Sequence, residues 1–183
     1  MKKLIIALAI CFALTPAVWA GSATPNVDQG TMQLGLYGSY DGNHPLDYQL
    51  VLDGAIGYFV IDNLEITSLL GWQSNELSDN LQAGLGTRYH FTFGSPWVPF
   101  VELAVLYAAT ELDDSVYNDF DSPDWDAWLL RAGAGIQYFF TDSVALSLKG
   151  VYDYATDDIY PDQDGNLDDY NWKALLGINV YIN

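Results

Sequence analysis

Cysteine is nearly absent from this chain, with Cys11 alone among 183 residues. Cations are almost as scarce: 6 Lys and Arg stand against 24 Asp and Glu. A net charge of −18 excludes nucleic acid as a partner, because phosphate neutralisation needs the Lys and Arg that are missing. Direct docking on an anionic membrane surface is disfavoured for the same reason. Beyond residue 20 there is no run of 18 apolar residues, so no membrane-spanning helix is expected. The chain is nevertheless no disordered acidic tail. Half of it is apolar, and it carries 6 Trp, 13 Tyr and 8 Phe.

The first twenty residues read as a secretory signal. Lys2 and Lys3 precede an apolar run over residues 4–14, Pro16 breaks it, and Val18-Trp19-Ala20 offers small residues at −3 and −1. Cleavage is expected between Ala20 and Gly21. The exported chain then has no cysteine, which removes disulfides, thiol catalysis and cysteine-built metal sites. It keeps four cations, Arg88, Arg131, Lys149 and Lys173. Export without a helix span leaves the periplasm or the outer membrane.

Hydrophobic alternation of period two runs through the rest. Leu34 and Leu36 oppose Gln33 and Tyr37; Leu52, Ile56 and Tyr58 oppose Asp53 and Gly57. The same pattern recurs at residues 64–72, 81–91, 101–107, 128–138, 144–152 and 172–182. Eight amphipathic strands follow, each long enough to cross a bilayer at a tilt. Short connections (62–63, 94–96, 141–143) alternate with long ones (41–47, 74–80, 111–126, 155–171). That layout predicts an all-β fold, an eight-stranded antiparallel up-and-down transmembrane β-barrel with its long loops outside the cell. The expected division is a signal peptide over 1–20, a short periplasmic segment over 21–30 and the barrel over 31–183.

Charge assigns the faces. The apolar face of the eight segments carries no charge. The polar face carries all four cations together with Asp53, Glu65, Glu102 and Asp153, four against four. Lipid demands this, since a charge at mid-bilayer costs about 2–4 kcal/mol. Outward aromatics gather at both strand ends, Trp72, Trp128 and Trp172 at one and Tyr58, Phe91 and Tyr138 at the other, as interfacial belts. An Arg at Leu52 should therefore block assembly, and an Arg at Gly57 should be milder unless it overfills the interior.

Trp97-Val98-Pro99-Phe100-Val101 and Gly133-Ala134-Gly135-Ile136-Gln137-Tyr138-Phe139-Phe140-Thr141-Asp142 carry a family resemblance. On these segments and the strand layout, the chain resembles the small eight-stranded outer-membrane barrels of the OmpA/OmpX/OmpW-like group. The resemblance implies residence in the outer membrane among lipid and lipopolysaccharide. It also implies delivery by periplasmic chaperones to the barrel-assembly machinery. A monomer is expected.

The candidate site is the inner charge network: Asp53, Glu65, Arg88, Glu102, Arg131, Lys149, Asp153 and Lys173. Buried charges must be paired, so a static, self-satisfied interior is the leading reading. His90, Thr92 and Glu102 are the closest approach to an enzyme. They resemble a deacylase set with Thr in place of Ser, but all three are expected to face inward, away from any lipid substrate, so no enzyme is expected. Asp162, Asp164, Asp168 and Asp169 alternate around Gly165 like part of a calcium loop. Tyr160 and Asn171 break the full pattern, leaving a weak Ca2+ or Mg2+ site at most and no fixed cofactor. Function is expected to be structural or surface-interacting through the acidic loops. A narrow passive channel is the alternative, and an adhesin using Tyr117, Phe120, Trp125 and Tyr160 the third reading.

Overall fold

The structure, a computed structural model, describes residues 23–41, 49–75, 78–112, 125–161 and 167–183. Seven strands come first: β1 (Met32–Asp41), β2 (Gln49–Ile61), β3 (Leu64–Asn75), β4 (Ser78–His90), β5 (Trp97–Leu112), β6 (Trp125–Thr141) and β7 (Val144–Ala155). Two-residue strands β8 (Tyr160–Pro161) and β9 (Leu167–Asp168) pair as a small ribbon ahead of β10 (Tyr170–Ile182). The eight long strands close into one antiparallel barrel in the order β1-β10-β7-β6-β5-β4-β3-β2. Each strand thus lies beside its neighbours in sequence, and the last returns to the first.

Side-chain alternation sets which way each strand faces. On β10, Lys173, Leu175, Asn179 and Tyr181 are buried while Trp172, Leu176, Ile178 and Val180 are exposed. The other long strands repeat this. Exposed Leu, Ile, Val, Phe, Tyr and Trp form a continuous apolar outer wall, far beyond the patch size that a protein in water tolerates. The outer wall is not free of charge along its whole height. Asp79 on β4 and Asp126 on β6 are exposed on it at the long-loop ends, where Tyr107 Oη donates to Asp126 Oδ2 at 2.6 Å.

β5 and β6 are longer than alternation marks, and the connection between them is correspondingly shorter than 111–126. Ala104, Leu106 and Ala108 on β5 and Ala127 and Leu129 on β6 are apolar and buried, so inner and outer faces look alike there. The tight turns follow local chemistry. Asn63 takes φ 67°, a left-handed geometry Asn tolerates, next to a register shift between Phe59 and Ile61.

The interior is filled rather than open. One apolar cluster at the short-turn end contains Val27, Phe59, Val98, Phe139, Ala145 and Tyr181. A second, running from mid-barrel to the long-loop end, includes Val51, Leu69, Leu106, Leu129, Ile159 and Leu175. Charged and amide side chains are interleaved with it, Lys173 lying nearer the long loops than Leu175 on β10 and Gln73 beyond Leu69 on β3. Large inner side chains rest on glycines across the strand pair. A Cβ on Gly177 would lie 2.3 Å from the Tyr37 ring, and one on Gly57 would lie 1.8 Å from Glu65 Oε1.

Candidate functional site

All eight charged residues expected inside are inside, each at most 6% exposed. They divide into two groups, and each is neutral by itself. In the group nearer the short turns, Arg88 stands directly opposite Glu102 across β4 and β5. Its Nη2 is 2.5 Å and its Nε 3.1 Å from Glu102 Oε2, with Glu65 Oε2 at 3.8 Å from Nη1. Lys149 Nζ lies 3.6 Å from Glu102 Oε1 and 4.1 Å above the Tyr37 ring. The Arg88 guanidinium also sits 4.9 Å over Phe100, so aromatic faces supplement the carboxylates.

Arg131 organises the second group. Its Nε and Nη2 donate to the two oxygens of Asp153 at 2.6 and 2.8 Å, a bidentate fork. Nη1 reaches Asp53 Oδ2 at 3.0 Å on the far side of the barrel, and Nη2 also donates to Gln82 Oε1. Lys173 completes the group, 3.1 Å from Asp153 Oδ2 and 3.3 Å from Gln73 Oε1. One guanidinium thus ties β6, β7, β2 and β4 together. A buried ion must be paired and hydrogen-bonded to be tolerated at all; most of these pairs join neighbouring strands, and the Arg131–Asp53 contact spans the barrel.

Both mouths carry a stopper that the alternation pattern does not reveal. At the short-turn mouth, residues 23–31 fold under the barrel. Thr24 N donates to Asp142 Oδ1 at 2.7 Å, Gln29 N to Asp62 Oδ1 at 2.9 Å, and Asn63 N to Val27 O at 2.9 Å. Val27 is buried in the apolar cluster there, and Thr31 Oγ1 donates to Asn183 Oδ1 at 2.6 Å. Val27 alone among polar and turn-forming neighbours was the available signal. At the other mouth, Ile159 and Tyr160 are buried over the interior. Burial raises the Tyr160 phenol above its ordinary pKa. Tyr160, expected among adhesive contacts, faces inward because it completes the apolar cluster.

The enzyme-like trio does not assemble. Thr92 lies past the end of β4, exposed, with its hydroxyl 3.2 Å from Asn63 Oδ1 rather than facing inward. His90 Nε2 pairs instead with Glu65 Oε2 at 2.9 Å, between the Phe59 and Phe100 rings. Asp162 and Asp164 lie outside the described residues, as do Ala20, Gly21, Tyr117 and Phe120. Asp168 and Asp169 sit at the surface ahead of β10. Among the described residues, no group of three His, Asp or Glu is arranged to hold a metal ion.

A closed barrel with an apolar outer wall, aromatic belts and a neutralised polar interior is a transmembrane β-barrel. A family model described as the outer membrane protein beta-barrel domain matches residues 4–179, and the chain belongs to that family. Solved structures share the fold. The N-terminal β-barrel domain of Pseudomonas aeruginosa OprF is 20% identical with a TM-score of 0.63, covering 84% of this chain and 98% of that one. Neisserial surface protein A is 16% identical with a TM-score of 0.56, covering 82% and 94%. Ail, the attachment invasion locus protein of Yersinia pestis, is 13% identical with a TM-score of 0.53, covering 84% and 99%. No curated protein sequence matches.

Proposed function

We propose that the chain is exported by cleavage after Ala20 and serves in the outer membrane as a monomeric, non-enzymatic and non-conducting barrel. Its role is structural and surface-interacting, exerted through the long acidic loops. The observation that carries this reading is the filled interior. Two self-neutral charge groups are packed among apolar side chains, with a stopper at each mouth. Conduction would require breaking pairs whose separation leaves bare charges in a low-dielectric space. Periplasmic chaperones and the barrel-assembly machinery are its partners during export, and lipopolysaccharide and lipid surround it afterwards. Any Ca2+ or Mg2+ at the loops, Asp162, Asp164, Asp168 and Asp169 included, is held loosely by charge. The refolded chain in a planar bilayer should give no discrete conductance steps. Reproducible steps from the purified barrel would replace this reading with the narrow passive channel.

A further inference from the structure

The stopper at the short-turn mouth is tied to the barrel wall through two residues. Asn63 N donates to Val27 O at 2.9 Å, Gly30 N to Phe59 O at 2.9 Å, and Phe59 N to Thr31 O at 3.0 Å. His90 holds both of these residues from the inside. Its own N–H donates to Asn63 O at 2.9 Å, and its ring lies 5.1 Å from the Phe59 ring. Phe59, Val27 and Tyr181 belong to one buried apolar cluster. A displacement of His90 therefore reaches Val27, Gly30 and Thr31 by two short routes.

The imidazole occupies a place that suits it only while neutral. It is fully buried between Phe59 and Phe100. Nε2 meets Glu65 Oε2 at 2.9 Å, and Nδ1 has no hydrogen-bond partner among the described residues. A neutral ring donates from Nε2 and leaves Nδ1 a bare acceptor; a protonated ring carries an N–H there as well. The surrounding charge offers no relief. Glu65 on β3 and Glu102 on β5 are already balanced by two cations. Arg88 on β4 lies 3.8 Å from the same Glu65 oxygen, and Lys149 on β7 lies 3.6 Å from Glu102. β1, β2, β6 and β10 contribute buried Tyr37, Phe59, Gln137 and Tyr181, none of them an anion. At the mouth itself Asp62 and Asp142 accept from the Gln29 and Thr24 amides of the stopper, and Asp28 is exposed. One more proton inside would leave a buried cation without a counter-charge, which a dry interior does not tolerate.

We propose that His90 is a proton-operated latch on residues 23–31: the neutral ring keeps the short-turn mouth closed, and protonation releases the segment as the imidazolium gains water. The open form binds one proton more than the closed form. Acid therefore favours opening, and closure is at full strength above about pH 7. Release uncovers one mouth only, so the latch goes beyond the structural role of the barrel and does not depend on it.

Amide hydrogen exchange of the refolded chain in micelles reads the opening of the segment directly. It is measured at about pH 7.5 and about pH 5.5, on either side of the ordinary imidazole pKa and above that of carboxylates. Each rate is divided by that of an unstructured chain at the same pH. With an imidazole that takes its proton at about pH 6.5 in the open form, protection over residues 23–31 should fall about tenfold, while the strands stay protected. His90→Gln keeps a donor for Glu65 and takes no proton, so its protection should be equal at both values. His44→Gln removes the only other histidine, outside the described residues, and should keep the full response. Where His90→Gln does not fold, the pH profile of His44→Gln decides. Its protection should be flat above about pH 7 and fall about tenfold per unit below about pH 6. A break at about pH 4 or about pH 8 would assign release to carboxylates or to the terminal amine and overturn the latch. So would a response that persists in folded His90→Gln, vanishes in His44→Gln, spreads equally through the strands, or fails to appear.

Discussion

At the scale of single residues, cost depends on what a side chain meets rather than on which face it occupies. Gly57 faces inward, where a charge was expected to be milder than at Leu52. Its missing Cβ is the space the Glu65 carboxyl occupies, 1.8 Å away. Even Gly57→Ala must push Glu65 off His90 and Arg88, so it should cost about 1–3 kcal/mol in urea unfolding of the folded barrel. Wild-type stability of Gly57→Ala would show that Glu65 can move freely. Leu52→Arg remains damaging for a different reason, at about 2–4 kcal/mol in the lipid band. Arg131 carries the larger stake. Arg131→Met strands Asp53 and Asp153 without their main cation, and should cost about 3–5 kcal/mol by the same measurement. A loss under about 1 kcal/mol would mean that Lys173 and water suffice for both carboxylates.

At the scale of elements, the two stoppers are attached differently from the strands they cover. Residues 23–31 rest on turn hydrogen bonds and on one buried apolar side chain, Val27. Local opening free energy follows such sparse anchoring, so this segment should exchange its amide hydrogens well before β1 to β10. Val27→Asp should speed exchange over residues 23–31 and leave the strands protected. Equal acceleration in the strands would show that the segment holds the barrel together rather than covering its mouth. β5 and β6 teach a related lesson about legibility. Their alternation vanishes at Leu106 and Leu129 because the inner face becomes apolar there, so strand length could not be read from contrast between faces.

At the scale of the whole molecule, closure and charge act together. With Arg88, Arg131, Lys149 and Lys173 all consumed inside, the entire net negative charge belongs to the outer surface and loops. The interior is neutral, and the negative charge gathers at the ends of the apolar wall rather than on it, where copies would repel one another. Closure pairs every long strand on both sides, so the folded barrel should resist SDS until boiled and migrate differently before and after heating. A chain that remains soluble and monomeric without detergent would contradict the outer wall described above.

Period-two alternation and four inner cations matched by four inner acids were enough to specify eight strands, their facing and the closed barrel. Each follows from local rules, since a strand shows its two faces directly in its residues. Loop length was a poorer guide, since the long connection expected over 74–80 is mostly strand, with β3 running to Asn75 and β4 beginning at Ser78. The Arg88–Glu102 pair was legible, because both residues face inward near register across one short turn, but the Arg131–Asp53 contact was not, since only curvature and stagger decide which distant strands face each other. The stoppers were hidden too: Val27 and Ile159 are lone apolar residues in irregular segments and Tyr160 lies in a two-residue strand, so no periodicity announces their burial. The seam, where β1 and β10 pair from Met32 opposite Ile182 to Gly38 opposite Leu176, was also decided by tertiary structure. How far β1 and β10 stay paired depends on how the closing sheet tilts, and no single strand contains that information.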